Sequence, residues 1–590
     1  MKAILNHIII GGLCLGLFSC QKNFVDLEPN AQFTDAVYFK QPKDFKDYAT
    51  GFYGQLPGWN FSTMDNGSDL SANNNGAGSD IGTGTIAVGS TSWNYSGIRS
   101  CNVLLAKAAE YKGGGDISQY VSEAYFFRAF AYFNLLKTFG GVPLVTTVLN
   151  VDSPELYDAR KSRYQVVAQI LADLDQAIAG LPTEQNIGAA DKGRVSKWAA
   201  MAVKAQVELY EATWEKYVGQ ATDGDGKTAG AGTEGYDGGN QAKYLADVVN
   251  LCQQIMNNGG YEIWNKNADA KMANSSSWYL FNLEDEGSNP GGYNKQSNKE
   301  FILYSVYDYT LRQSGLNITW TMSQLYPSRK FVDMAVCTDG LPPAKSPLFQ
   351  GYHTTTSEFE NRDLRLLTYL YAAPTAPTAV TLDYGGLGAS GYGNSKFGVY
   401  GFGSRRIDRT ESANWPIIRL AEVYLMYAEA LVELNGNITD AQLDASINKL
   451  RDRGAVAHLT NKLVTENGLD IKEEIRRERA VELYREGKRF DDLKRWGLME
   501  AALNPSRLGR VVGDASYATP FKDAAGNATT AYKPSSYVFG EEAVLTPAGT
   551  LKCVVVASRL NNSVSRKHYL YPIPTSQMIL NKKLLQNPGY

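Results

Sequence analysis

Histidine is scarce in this chain, with four in 590 residues. His7 lies in the first apolar stretch, and His353, His458 and His568 are scattered. No HExxH pair exists, so two histidines one helical turn apart on a zinc ion are excluded. Cysteine is sparse too, six in all. No two form a CxxC, and Cys101, Cys252, Cys337 and Cys553 are far apart, which argues against a zinc site and a dense disulfide framework. There is no excess of one charge: 58 Lys and Arg stand against 61 Asp and Glu. The basic surplus that nucleic-acid binding calls for is missing. No serine sits in a G-x-S-x-G turn. Beyond the first twenty residues no apolar run approaches the roughly 20 residues that a membrane-spanning helix needs.

The abundant residues are Tyr, 36, and Gly, 56, together with 9 Trp. Tyr and Trp pair an apolar face with a polar tip, which suits sugar or peptide binding as well as helix packing. The length allows two to four domains, or one long repeat array.

The first segment speaks for the compartment. Lys2 precedes a mostly apolar stretch over 4–18 that ends in Leu17-Phe18-Ser19-Cys20. This resembles a bacterial lipobox, with a small residue just before the cysteine. The expectation is a signal peptide over 1–19, a lipid on Cys20 and a tether over 20–43. Several acyl chains give firm anchoring, because each buried methylene contributes about 0.8 kcal/mol.

Helical periodicity recurs over 44–56, 97–111, 118–139, 162–181, 196–217 and 242–257. Later segments over 416–434, 439–453 and 471–496 read as three further helices, the first two an antiparallel pair. Between them, about 260–412 is rich in Gly, Asn, Ser and Tyr, with strand-like runs at 300–307 and 366–371. The predicted fold is mainly α: a tetratricopeptide-like helix-pair scaffold with an irregular, loop-rich region containing short strands. The regions are 44–259 and 413–590 for the helices, with 260–412 as the irregular part.

Several motifs are discounted. Gly230-x-Gly232-x-x-Gly235 lies in low-complexity sequence after no strand, unlike a dinucleotide fingerprint. Asp223-Gly-Asp225-Gly-Lys227 puts a lysine where an EF-hand loop needs an oxygen ligand. Glu284-Asp285-Glu286 beside Trp278 is an acidic loop; a solvated cluster or a calcium site explains it more simply than a glycosidase pair. Glu474, Glu478, Glu482 and Glu486 stack at spacing four, and Arg477, Arg479, Arg485 and Arg489 flank them. That pattern predicts ion pairs bracing the helix against its neighbours.

A set of landmarks extends along nearly the whole chain. They run in order from Cys20 and Phe24-Val-Asp-Leu-Glu-Pro29 to Trp93-Asn-Tyr-Ser-Gly-Ile98 with Asn102. Ala124-Tyr-Phe-Phe-Arg-Ala-Phe-Ala-Tyr-Phe133 follows, leading into Phe139-Gly-Gly-Val-Pro-Leu144, then Gly193-Arg-Val-Ser-Lys-Trp-Ala-Ala200. Pro416-Ile-Ile-Arg-Leu-Ala-Glu-Val-Tyr-Leu425 and the Glu478 to Leu493 charged run come next, and Tyr571-Pro-Ile-Pro574 to Gln586-Asn-Pro-Gly-Tyr590 closes the chain. Together these landmarks resemble the SusD/RagB family of nutrient-binding outer-membrane lipoproteins, and the resemblance implies a non-enzymatic, cell-surface protein without a cofactor. Such a protein captures oligosaccharide, or peptide in some members, and acts as a lid on a SusC-like TonB-dependent transporter barrel. The charged helix would then be architecture.

A sugar ring needs a flat aromatic for its C–H face and polar groups for its hydroxyls. Three loop segments carry that mixture. The first holds Trp59, Asp65, Asn66, Asp69 and Asn73; the second holds Trp278, Tyr279, Asn282 and Tyr293; the third holds Arg312, Asn317 and Trp320. Trp320 is the first choice for ligand contact. A surface glycoside hydrolase and a purely structural surface protein are the competing classes. Calcium binding, the sugar and its linkage stay open.

Overall fold

The computed structural model describes residues 38–60, 64–72, 92–219, 239–318, 325–351, 357–370, 390–398, 409–512, 521–522, 528–529, 539–546 and 549–590. It is mainly α-helical. Helix α1 spans Pro42–Thr50, α2 Ser96–Glu110, α3 Ser118–Phe139, α4 Arg163–Gly180, α5 Lys197–Thr213 and α6 Gln241–Asn258. Neighbours in sequence pack as pairs: α2 on α3, α3 on α4, α4 on α5 and α5 on α6. Local chemistry sets the ends. Ser162 accepts the Gln165 N–H while the Gln165 side chain returns to Ser162, a capping box that starts α4. Ser196 accepts the Ala199 N–H and starts α5. Helix α3 stops at Gly140, whose φ of 77° disfavours a side chain. Gly141 follows, and a Cβ there would sit 2.1 Å from the Lys161 carbonyl oxygen.

Four later segments depart from the periodicity. The segment over 416–434 opens as strand β2, Trp415–Arg419, and only then becomes helix α7, Leu420–Asn435. Pro416 lacks an N–H, the β-branched Ile417 and Ile418 favour extended backbone, and β1, Phe301–Ser305, offers an antiparallel partner. Of the run over 366–371, the described part, 366–370, opens as helix rather than strand; residues Leu364–Tyr369 form a short helix that Asp363 caps through the Arg365 N–H. The stretch over 439–453 splits into Asp440–Asp444 and Ile447–Gly454, and α7 packs chiefly on α6 and on α8, Ile471–Glu482. The long charged helix breaks after Glu482 and resumes as α9, Arg489–Arg495, with Arg485 and Gly487 both at positive φ between them. Near the C-terminus β3, Arg507–Val512, β4, Phe539–Thr546, and β5, Gly549–Ala557, form a sheet ordered β3-β5-β4.

The break in the charged helix serves a buried ion-pair cluster. Glu482 accepts from Arg365 at 2.8 Å, from Arg419 at 2.6 Å and from Arg453. Glu486 accepts from Arg419 and Lys396, both at 2.8 Å. Glu300 meets Arg419 at 2.7 Å and Arg453 at 2.6 Å. Glu478 meets Arg365 at 2.5 Å and Arg451 at 3.1 Å. Burial pushes the Lys396 ammonium down to about 8 even with Glu486 beside it. The pairs join β1, β2, α8 and the segments around 363–365, 396 and 451–453.

Burial by itself would raise the Glu482 carboxyl, but Arg453, Arg419 and Arg365 outweigh it and hold it well below its ordinary value of 4.5. The unfolded carboxylate therefore takes up its proton first as pH falls. The stability it contributes is present above about pH 4.5 and is lost as pH drops through the lower folded value. Glu482→Gln leaves three buried guanidiniums around a neutral amide. It is expected to cost about 3–5 kcal/mol in urea unfolding. The variant is also expected to lose less of its remaining stability on acidification than the native chain does.

Candidate ligand-binding face

The β1–β2 ladder carries loops at its open end. Tyr307, just past β1, donates its N–H to Asn414 Oδ1 at 2.9 Å, just before β2. Its hydroxyl accepts the Trp59 N–H at 3.0 Å, and its carbonyl accepts from Lys295 at 2.6 Å. Gly58 passes so close that a Cβ there would lie 2.2 Å from the Tyr307 hydroxyl. Beyond this anchor the chain turns back on itself, with Asp308 and Arg312 exchanging both backbone hydrogen bonds at 2.8 and 3.0 Å. The Asp308 carboxylate accepts the Leu311 and Thr310 N–H groups, which hold its pKa below the usual value. The Arg312 guanidinium lies 4.5 Å over the Tyr307 ring and donates to the Val306 carbonyl at 3.1 Å. Tyr309, 47% exposed, and Leu311, 88% exposed, stand out from the turn beside it. The result is a pinned loop that offers an aromatic, an aliphatic and a cation to solvent.

The other expected ligand residues mostly lie inside. Trp59 is buried edge-on against Trp415 and Phe397, at 4.9 and 5.4 Å, and its Nε1 donates to the Ala413 carbonyl at 2.8 Å. Trp278 is buried with its Nε1 on the Ser395 carbonyl at 2.8 Å. Tyr279 packs beside it at 4.6 Å, and burial raises its phenol. Asn282 donates to the Gly398 carbonyl at 2.9 Å. Asp65 accepts the N–H groups of Gly487 and Arg489 at 3.1 and 3.0 Å, and burial pushes its carboxyl up to about 7 against the pull of Arg485. Asn66 accepts from Arg485 at 2.8 Å, and Asp69 takes two bonds from Arg489 at 2.8 Å each. For these residues the expectation of ligand contact gives way to a structural role. A turn that must lock onto a broken helix needs the same Asp and Asn side chains that a sugar would.

Tyr293 is half-buried and donates to Asp269 at 3.1 Å. Asn317 is half-buried near the third loop. Arg312 alone of the expected set is exposed among the described residues. Asn73, Trp320, His353 and Cys20, the expected lipid attachment, lie outside the described residues. Tyr309 and Leu311 were missed by sequence reasoning; the turn Asp308-Tyr-Thr-Leu-Arg-Gln-Ser-Gly315 directly after a strand was the signal for them. In the acidic triplet, Glu284 is buried and accepts from Ser412 at 2.5 Å, while Asp285 caps the Gly287 N–H. Among the described residues no three His, Cys, Asp or Glu side chains converge on a metal-sized site. Cys101, Cys252, Cys337 and Cys553 are free and buried, and burial pushes the Cys101 thiol up to about 12.

A family model described as the SusD family matches residues 263–590, more than half of the chain. The chain belongs to the SusD family. A second model, described as starch-binding and associating with the outer membrane, matches residues 58–209. A SusD-like protein of Formosa agariphila is 23% identical over 538 residues, covering 84% of this chain and 90% of that protein. A SusD-like protein of Bacteroides ovatus is 25% identical over 429 residues, covering 69% of this chain and 65% of that protein. Among solved structures, a SusD-like protein of Bacteroides fragilis superposes with a TM-score of 0.67 at 21% identity, over 94% of this chain and 99% of that one. A SusD-like carbohydrate-binding protein of the same organism gives 0.64 at 22% identity, over 93% and 99%. The solved SusD-like structures thus share the fold, helix pairs included.

Trp59→Ala and Trp278→Ala each empty a core position and free a buried carbonyl. Each is expected to lower the urea-unfolding free energy by about 3–5 kcal/mol. A surface contact residue would leave that quantity within about 0.5 kcal/mol of native.

Proposed function

We propose that this SusD-family chain is a cell-surface lipoprotein, anchored through Cys20, that binds oligosaccharide. It passes the sugar to a SusC-like TonB-dependent barrel in the outer membrane and does not cleave it. The observation that carries this reading is the pinned loop after β1. There Tyr309 and Leu311 stand exposed next to Arg312, which is stacked on Tyr307. A sugar face packs on an exposed aromatic, and a guanidinium hydrogen-bonds its hydroxyls. The loop is held by side chains of the β1–β2 ladder, so little ordering entropy is lost on binding. Trp320, the choice made from the sequence, belongs to the same stretch of chain and is proposed as a further contact. The described residues contain no helix long and apolar enough to cross a membrane.

Residues 21–590, without lipid, are to be titrated calorimetrically against soluble polysaccharides and peptides, with Tyr309→Ala, Arg312→Ala and Trp320→Ala alongside. One glycan class is expected to bind without product on chromatography. Each variant is expected to bind at least about tenfold more weakly, on the order of 1.4 kcal/mol. Accumulating product would overturn the binding reading in favour of an enzyme. Unchanged affinity in all three variants would place the site elsewhere.

A further inference from the structure

A cavity of about 130 Å³ lies between the short helix Arg329–Met334, the first turns of α8 and the two ends of α9. Four cations line it, Lys330, Arg476, Arg477 and Arg489, against two carboxylates, Asp333 and Glu473. Lys330 and Glu473 are exposed, so the cavity opens to solvent. Its volume holds several waters, or one tetrahedral oxyanion.

The positive sign of the wall comes from how the ion pairs are turned. Arg489 donates to both oxygens of Asp69 at 2.8 Å, and Arg477 donates to the buried Glu474 at 3.2 Å. Arg476 lies 3.6 Å from Glu433, beyond hydrogen-bonding reach, because Glu433 already accepts from Lys216 and Tyr217 at 2.7 Å each. Asp69, Glu474 and Glu433 stand behind the wall and do not line the cavity. The arginines therefore face it with their counter-charges on the far side.

The two carboxylates that do line the cavity do not cancel this field. Asp333 is taken by Arg329, which donates to it at 2.7 and 2.9 Å. Glu473 accepts from Arg476 Nη1 at 3.0 Å, and Arg476 Nε and Nη2 have no hydrogen-bond partner. Lys330 makes no ion pair among the described residues. A purely structural network would pair these cations within the fold, since a buried donor without a partner is costly.

The guanidiniums are held before any ligand arrives. Trp496 donates its Nε1 to Glu429 at 2.7 Å, which fixes the indole in the wall. The guanidiniums of Arg476 and Arg489 lie over its ring at 4.7 and 5.9 Å. Cations fixed in this way lose little freedom on binding. Guanidinium is also the group best matched to the paired oxygens of a carboxylate, phosphate or sulfate.

We propose that this cavity is an anion site, taking one sulfate, phosphate or carboxylate group, separate from the loop after β1. The exposed Lys330 draws the anion in, the arginines of α8 and α9 hold it, and Glu473 competes with it for Arg476. The group reaches the site either as a free inorganic anion or as the acidic substituent of a sugar.

The test titrates the full chain, purified from membranes in detergent, calorimetrically with sodium sulfate at constant ionic strength, because exposed charges are screened by salt. One saturable site per chain is expected. Lys330→Ala is expected to bind sulfate about fivefold more weakly and Glu473→Gln about fivefold more tightly, as one nearby charge is removed in each. Both side chains are exposed, so both variants should keep the native unfolding midpoint. Displacement of sulfate by glucuronate or glucose 6-sulfate would identify the acidic group of a sugar as the ligand. Displacement by phosphate alone, or by none of these, would identify a free tetrahedral oxyanion; either result upholds the site. Absence of saturable binding would overturn it, as would equal binding of neutral glucose. An affinity that either variant leaves unchanged, or moves the other way, would overturn it too. Sugar capture at the loop after β1 stands or falls separately, on the Arg312→Ala titration.

Discussion

Glu482 receives three buried guanidiniums, from Arg365, Arg419 and Arg453, and the rest of the structure is arranged around that contact. Each arginine comes from a different part of the chain, so one carboxylate joins the short helix at 364–369, strand β2 and the helix at 447–454 to α8. Glu300 and Glu486 share Arg419, so the pairs form a network rather than a set of separate bridges. Burying so many charges is costly, and a hydrophobic replacement of the whole cluster can be neutral. Removing one member is not, because the others stay buried without their counter-charge. The network therefore acts less as a source of stability than as a device that admits one arrangement of these segments.

A second tier follows from the first. The helix breaks after Glu482 so that Arg485 and Glu486 can point inward, and the break leaves backbone N–H groups at Gly487 and Arg489 without helical partners. Asp65 accepts both, and Asn66 and Asp69 bind the guanidiniums of Arg485 and Arg489. The turn over 64–72 is thereby locked to the C-terminal helices. Arg419 closes the circle, since it ends β2, and β2 holds β1 and the loop beyond it. The exposed Tyr309, Leu311 and Arg312 thus stand on a loop whose base is tied to the most constrained part of the molecule. Precision at a binding surface needs that kind of support.

The helical pairs were legible because their signals are local. A Ser cap at residues 162 and 196, a Gly-Gly stop at 140–141 and apolar spacing of three and four suffice for α3 to α5. The charged run was legible in kind: Glu at spacing four among Arg does form ion pairs. Its break was not, because Arg485 takes a positive φ for the sake of partners more than 400 residues away in sequence. Strand β2 was hidden for a similar reason. Its apolar spacing continues smoothly into α7, and only pairing with β1 separates the two.

By itself the sequence determined the family, the mainly helical architecture and the composition of the loops, all of which depend on short-range pattern. Which loop residues face solvent was decided only by the tertiary structure. Trp59 and Trp278 have the same chemistry as an exposed sugar platform, yet each finds a buried carbonyl, on Ala413 and on Ser395, that no local pattern foretells. Arg312 and Tyr309 sit on the turn beyond β1, over which no distant segment is packed among the described residues, and remain exposed. The physical reason is that burial belongs to the whole packing arrangement, and the same side chain serves core or surface according to what the distant chain brings to it.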